Sequence, residues 1–291
     1  VISKKVKAGV PKASYNGSFF FGYLPPDRII AVLNSAEYMA MEKHAWSYKE
    51  GRHMSNYAEL ESTFFNADGT PNYDTDWHDE AKRTAISTTH SLSISGGNER
   101  STSSLSLGYD NTQGILLETF YTKYTGKLTN SYKVNDWLKT DMNLAIHHTE
   151  NNKPTTRTGA LNSKRMMLEA RPIIPVYQED VKWGTNGQHL GTEGGENPVN
   201  LLKNMICKNT VTRGLGDFGV TLQLVKGLEL RSSASTQVTW SKKNTYSGRE
   251  LSSVSKDEQG YANVNAARSI YLQNENYLTY NNVFNKVHSL N

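Results

Sequence analysis

Side chains capable of chemistry are plentiful in this chain but poorly gathered. His147 and His148 are neighbours in a segment that alternates as a strand, so their rings point to opposite faces and cannot share a metal ion. The acidic stretch from Asn66 to Asp76 has the carboxylate density of a calcium loop, with Asp68, Asp74 and Asp76 as candidate ligands. Its register departs from an EF-hand, because Phe64 stands where the first acid belongs and Thr75 where the bidentate glutamate belongs. A solvated acidic loop is the reading this spacing favours. The glycine-rich run from Gly191 to Gly195 lacks the Gly-Lys-Ser/Thr ending of a phosphate loop. Paired carboxylates for glycoside hydrolysis could be drawn from so many acids, but nothing fixes their separation. No catalytic constellation emerges, no cofactor is implied, and the chain is not read as an enzyme.

Recognition chemistry is better represented. Trp46, Arg171, Tyr177, Trp183 and Asn186 fall in long polar connections, and aromatic faces beside amide and charged groups suit sugars or peptides. Packing of one loop on another is the competing role for each. Trp77 lies inside the acidic run Asp74 to Glu80.

The elements that must position these residues are strands. From Ser91 to Ser95, and again from Ser104 to Tyr109, small polar residues alternate with Leu92, Ile94, Leu105, Leu107 and Tyr109 around the turn 96–100, which predicts a hairpin. The segment from Leu138 to His147 alternates most clearly, with Leu138, Thr140, Met142, Leu144 and Ile146 opposed to Lys139, Asp141, Asn143 and Ala145. A sandwich core would not accept an ionic inner face, whereas a barrel wall with lipid on one side and water on the other requires that contrast. Further strands are expected at 13–21, 121–132, 218–224, 228–240 and 271–284. Tight turns at Gly96, Lys133, Lys226 and Asn285 alternate with long connections at 24–87, 110–120, 149–209 and 241–270. Outer-membrane barrels have that asymmetry between rims, and strands of about ten residues cross a tilted bilayer span. A helix capped by Asn34 with Glu37, carrying Tyr38, Met41 and Ala45 on one stripe, and a short helix near 162–170 are expected inside the long connections.

Composition sets limits. The 291 residues carry 32 basic and 28 acidic side chains, a formal charge of +4 dispersed along the chain, which gives no support to nucleic-acid binding. No run of 18 apolar residues occurs. That excludes a transmembrane helix but not a barrel, whose strands show lipid only every second residue, and the mean hydropathy of −0.62 does not discriminate. A single cysteine, Cys207, precludes an internal disulfide framework. Sixteen tyrosines, several near strand ends, suit an interfacial girdle.

The run LSISGGNERSTSSLSLGYDNTQGIL, the upstream Asp74 to Glu80 motif, the turn Lys133 to Leu138 and the Asn-Pro-Val-Asn-Leu-Leu at 197–202 together resemble the SusC/RagA family of TonB-linked outer-membrane transporters. The resemblance implies an all-β, antiparallel transmembrane barrel, here roughly the first eight strands of a plugged 22-stranded wall, with long extracellular loops carrying short helices. It implies that 1–10 closes the plug domain and 11–291 is the N-terminal part of the barrel. Eight strands could also close into a small barrel of their own, but a chain stopping just after a turn is expected to be a portion of a larger one. The implied activity is import of a bulky nutrient, an oligosaccharide or glycan or else a peptide, across the outer membrane of a Bacteroidetes-type bacterium. A SusD-like surface lipoprotein and the TonB/ExbB/ExbD complex are the implied partners, with outer-membrane lipid around the wall. A siderophore or cobalamin receptor of the same architecture, and a secreted all-β carbohydrate-binding module, are the alternatives.

Overall fold

The computed structural model describes residues 9–48, 62–154, 162–177, 196–249, 251, 259–284 and 288–290. Eight antiparallel strands form one sheet in strict sequence order: β1 (Gly9–Gly22), β2 (Ala85–Gly97), β3 (Ser101–Gln113), β4 (Phe120–Lys133), β5 (Leu138–Asn152), β6 (Ile206–Val225), β7 (Leu228–Ser247) and β8 (Tyr261–Tyr280). A separate two-stranded ladder pairs β9 (Asn282–Phe284) with β10 (His288–Leu290). The expected turn at Asn285 falls outside the described residues.

Every second connection is short. Between β2 and β3, the Asn98 side chain accepts from the amides of Arg100 and Ser101 at 2.9 and 2.8 Å, an Asx turn that reverses the chain locally. Asn135 repeats the device between β4 and β5, accepting from Trp137 and Leu138 at 3.1 and 2.8 Å. Lys226 and Gly227 alone join β6 to β7, and Gly227 has a φ of +86°, where a side chain would be strained. The opposite rim bears the long connections 23–84 and 153–205, together with shorter ones at 114–119 and 248–260.

Register aligns the strand faces row by row. One row runs Ile94, Leu105, Leu128, Leu144, and another joins Leu138, Leu222, Leu230 and Leu278. These side chains form an apolar face; their sequence neighbours form a polar face on the other side. From Leu138 to His148 the chain advances ten residues, and at about 3.3 Å per residue with about 40° of tilt this covers about 25 Å, the height of a lipid-facing band.

The strands differ from expectation mainly in length. β6, β7 and β8 are 20 residues each, so the connection expected at 241–270 is confined to 248–260 and the strand expected at 271–284 begins at Tyr261. Likewise β3 runs to Gln113 and shortens the connection expected at 110–120.

The buried core lies away from the middle of the sheet. Helices α1 (Ser35–Tyr48), α2 (Trp77–Ala81), α3 (Ser163–Glu169) and α4 (Pro198–Asn204) occupy the long connections. Their apolar residues meet in one cluster containing Tyr38, Met39, Phe64, Trp77, Met167, Ile173, Ile174, Val199 and Leu202, with Leu116 and Leu117 of the β3–β4 connection packed against it. A second cluster joins Met166, Leu201 and Met205 to Cys207 and to Leu251 of the β7–β8 connection. All four connections of that rim thus contribute to one packed loop layer.

Candidate functional site

Short polar side chains build this loop layer from the backbone up. Asn34 and Glu37 cap α1 reciprocally: the Glu37 amide donates to Asn34 Oδ1 at 2.9 Å and the Asn34 amide donates to Glu37 Oε2 at 3.0 Å. The buried stripe of α1 is nevertheless rotated from expectation. Tyr38 and Met39 face the cluster, whereas Met41 is 47% exposed, because Ser35 is anchored first, its amide donating to Asp74 Oδ1 at 2.8 Å and its hydroxyl to the Tyr73 carbonyl.

Asp76 caps α2 through the amides of His78 and Asp79. Trp77 then enters the core at 2% exposure, and its indole N–H donates to the Arg171 carbonyl at 2.9 Å. Thr75 bonds to the carbonyls of Pro172 and Ile174, tying the first long connection to the third. In the Asn-Pro-Val-Asn-Leu-Leu motif, Asn197 caps α4 by accepting from Val199 and Asn200, and donates to the Val176 carbonyl. Asn200 in turn donates to the Leu251 carbonyl at 2.9 Å. Both motifs are therefore fasteners between loops.

The candidate recognition residues separate. Arg171 is buried at 7% exposure. Its guanidinium sits close enough to Tyr38 to oppose the effect of burial, which pushes the Tyr38 phenol well above its usual range. Tyr177 is exposed, and Lys203 donates to its hydroxyl at 3.0 Å while standing 5.7 Å from the ring centroid. Trp46 belongs to α1. Trp183 and Asn186 lie outside the described residues, as does the glycine-rich run 191–195. Asp68, Asp74 and Asp76 spend their carboxylates on different tasks: Asp68 accepts from the Thr70 amide and hydroxyl, Asp74 anchors Ser35 and Asp76 caps α2. The Thr70 bonds hold the fully exposed Asp68 carboxyl below the usual range. Among the described residues, no three His, Cys, Asp or Glu side chains converge as a metal ion needs.

The sheet supplies two further features. On its polar face Arg231 bridges to Asp141 at 3.0 Å, Lys139 approaches Asp141 at 3.2 Å, and Asp217 accepts from Asn143 and Ser235 at 3.1 and 2.8 Å. Ser14 with Ser93, and Ser104 with Thr129, continue the hydrogen-bonded ladder. On the apolar face a chain of rings crosses five strands, from Tyr15 through His90, Tyr109 and Tyr124 to His148, with centroids 5.1–6.2 Å apart. Tyr15 also bonds to His90 Nδ1 at 2.7 Å, and Trp240 stands in the same row on β7. Such a row is the aromatic girdle of a membrane interface. His148 thus takes part in the girdle while His147, one residue back, faces the polar side.

This geometry has known counterparts. No family model matches the chain. The TonB-dependent receptor SusC of Bacteroides thetaiotaomicron is 30% identical over 204 residues, which are 68% of this chain and 18% of that protein. Among solved structures, the RagAB peptide transporter aligns over 98% of this chain and 34% of its own, with a TM-score of 0.73 at 17% identity. The RagAB peptide importer in its closed-closed state gives 0.72 at 15% identity, and in its open-open state 0.71 at 16%. The chain spans about a fifth of the curated relative and about a third of the solved chains. A two-faced sheet in sequence order, a ring girdle, short turns on one rim and a packed loop layer on the other make this chain part of an outer-membrane β-barrel wall, and with its kinship to SusC it belongs to the SusC/RagA family of TonB-dependent transporters.

Proposed function

We propose that the chain contributes wall and outer loops to a transporter that imports a bulky nutrient, an oligosaccharide or a peptide, across the outer membrane. Residues 1–10 would close its plug and 11–291 begin its barrel. The observation that carries this reading is the loop layer. Four connections are fastened into one packed body on a single rim, which suits a fixed platform on which a SusD-like lipoprotein closes over captured substrate. The polar face of the sheet suits a water-filled interior, and the TonB/ExbB/ExbD complex would supply energy through the plug. Kinship to a protein named a TonB-dependent receptor, and likeness in fold to a peptide importer, support the same activity class.

On the loop layer, Tyr177 with Lys203 offers an exposed ring beside a cation, and Trp46, Trp183 and Asn186 remain recognition candidates. Arg171 is better suited to holding the layer together. The test is uptake of labelled oligosaccharides and peptides by cells making the intact transporter. One of these classes should accumulate, lose accumulation when the proton gradient is collapsed, and be taken up less by Tyr177→Ala. Gradient-dependent uptake of a ferric siderophore or a cobalamin, with neither nutrient class accumulated, would overturn the proposal.

A further inference from the structure

Beyond the ring girdle, the apolar face turns cationic on β7 and β8. Trp240 lies in a recess of about 400 Å³ lined by Thr210, Thr212, Lys242, Ala266 and Arg268. Register places Thr212, Trp240 and Arg268 in one row and Thr210, Lys242 and Ala266 in the next row toward the long-loop rim. The Arg268 guanidinium stands 5.8 Å from the indole centroid. Lys208, on the same face, is committed to Glu150 at 2.8 Å. Among the described residues, Lys242 and Arg268 meet no carboxylate within ion-pair distance.

Two rows inward, past Val238 and Ile270, the same strands are indented. Gly216, Ala234 and Thr236 floor an apolar groove of about 620 Å³ whose walls include Met142, Leu144, Phe218 and Leu272. Two cations that meet no carboxylate among the described residues, with hydroxyls and an indole at the water edge, above a slot lined by hydrocarbon, match one kind of ligand. A guanidinium fork and an ammonium grip phosphate, basic pockets at the membrane edge bind lipid headgroups, and an apolar slot favours hydrocarbon.

We infer that this strip of β6, β7 and β8 is a binding site for a phosphorylated lipid of the leaflet on the long-loop side. Its headgroup phosphate lies between Arg268 and Lys242, and one acyl chain lies in the groove over Gly216 and Ala234. The inference rests on the apolar face being the lipid face.

The test uses the intact transporter, purified in detergent and titrated in native mass spectrometry with phosphatidic acid, with diacylglycerol of the same chains, and with inorganic phosphate. Phosphatidic acid should be retained about tenfold better than diacylglycerol, and the double variant Arg268→Gln/Lys242→Gln should lose that advantage, about the worth of one charge-assisted contact. Lys243→Gln, one residue along on the polar face, should keep it. Equal retention of the two lipids, an equal loss in Lys243→Gln, or displacement of the lipid by equimolar inorganic phosphate would overturn the site. A spin label on Val238→Cys, one row inward, separates the two levels of failure. Oxygen-accessible label without lipid selectivity defeats the site alone, whereas label open to an aqueous nickel chelate defeats the lipid-face reading as well.

Discussion

At the scale of single residues, the loop layer depends on a few side chains that are both buried and hydrogen-bonded. Trp77 combines a large apolar body in the core with an indole N–H committed to the Arg171 carbonyl. Trp77→Ala should cost the layer about 3–5 kcal/mol. Limited proteolysis of the intact protein in outer-membrane vesicles should show new cuts in the long connections, while heat-modifiable barrel migration stays unchanged. Trp77→Phe, which keeps most of the volume and loses the bond, should cost about 1–3 kcal/mol, the penalty of an orphaned carbonyl. Tyr38 yields a pH prediction. Burial raises its folded pKa above the unfolded value of about 10, so the neutral phenol contributes stability that is fully present below about pH 10 and lost as pH rises toward the folded value. A difference titration against Tyr38→Phe should therefore show the tyrosinate absorbance of this residue appearing only above the usual tyrosine range near pH 10. A full tyrosinate signal near pH 10 would mean that the phenol is not buried.

At the scale of elements, the strand rows assign depth as well as face. Leu144 lies midway between the Leu138 row and the ring girdle, so Leu144→Arg should destabilise the folded barrel by about 2–4 kcal/mol. Leu222 pairs with Leu138 and Leu230 near the short-turn edge, where an arginine can reach water, and Leu222→Arg should cost only about 0–1 kcal/mol. Asn143→Arg, on the polar face beside Asp217, should be mild. Urea unfolding of the intact protein in lipid vesicles measures all three, and equal costs at both parities would contradict the assignment of faces. What was legible in the sequence follows the same physics. Alternation marks a strand only where its two sides meet different solvents, so the rows from Leu92 to Ile94 and from Leu138 to Ile146 were readable. Past the girdle both faces of β7 are polar, as in Ser241-Lys-Lys-Asn-Thr, and the continuing strand gives no periodic signal. The capping residue Asn34 announced its helix, because an Asx cap is a local bond. The burial of Met39 in place of Met41, and that of Arg171, was set by contacts with residues far along the chain, which no local pattern encodes.

At the scale of the whole molecule, the rims differ in kind. One carries Asx and glycine turns of two to four residues; the other carries a helical layer. An epitope inserted between Asp68 and Gly69, an exposed turn of that layer, should be detected on unpermeabilised cells, whereas one inserted at Lys226-Gly227 should be detected only after permeabilisation. The reverse pattern would invert the proposed orientation.

The loop layer also imposes an order on biogenesis. Its two clusters draw on residues from Tyr38 to Leu251, and strands β2 through β7 intervene between them. Contacts so distant in sequence are entropically expensive until the hairpins between them have zipped. Maturation of the layer thus reports that five consecutive strand registers, from β2–β3 to β6–β7, are correct: a strand slipped by one residue would carry its loop's fasteners to the wrong partners and leave Trp77, Leu202 and Leu251 open to quality-control proteases.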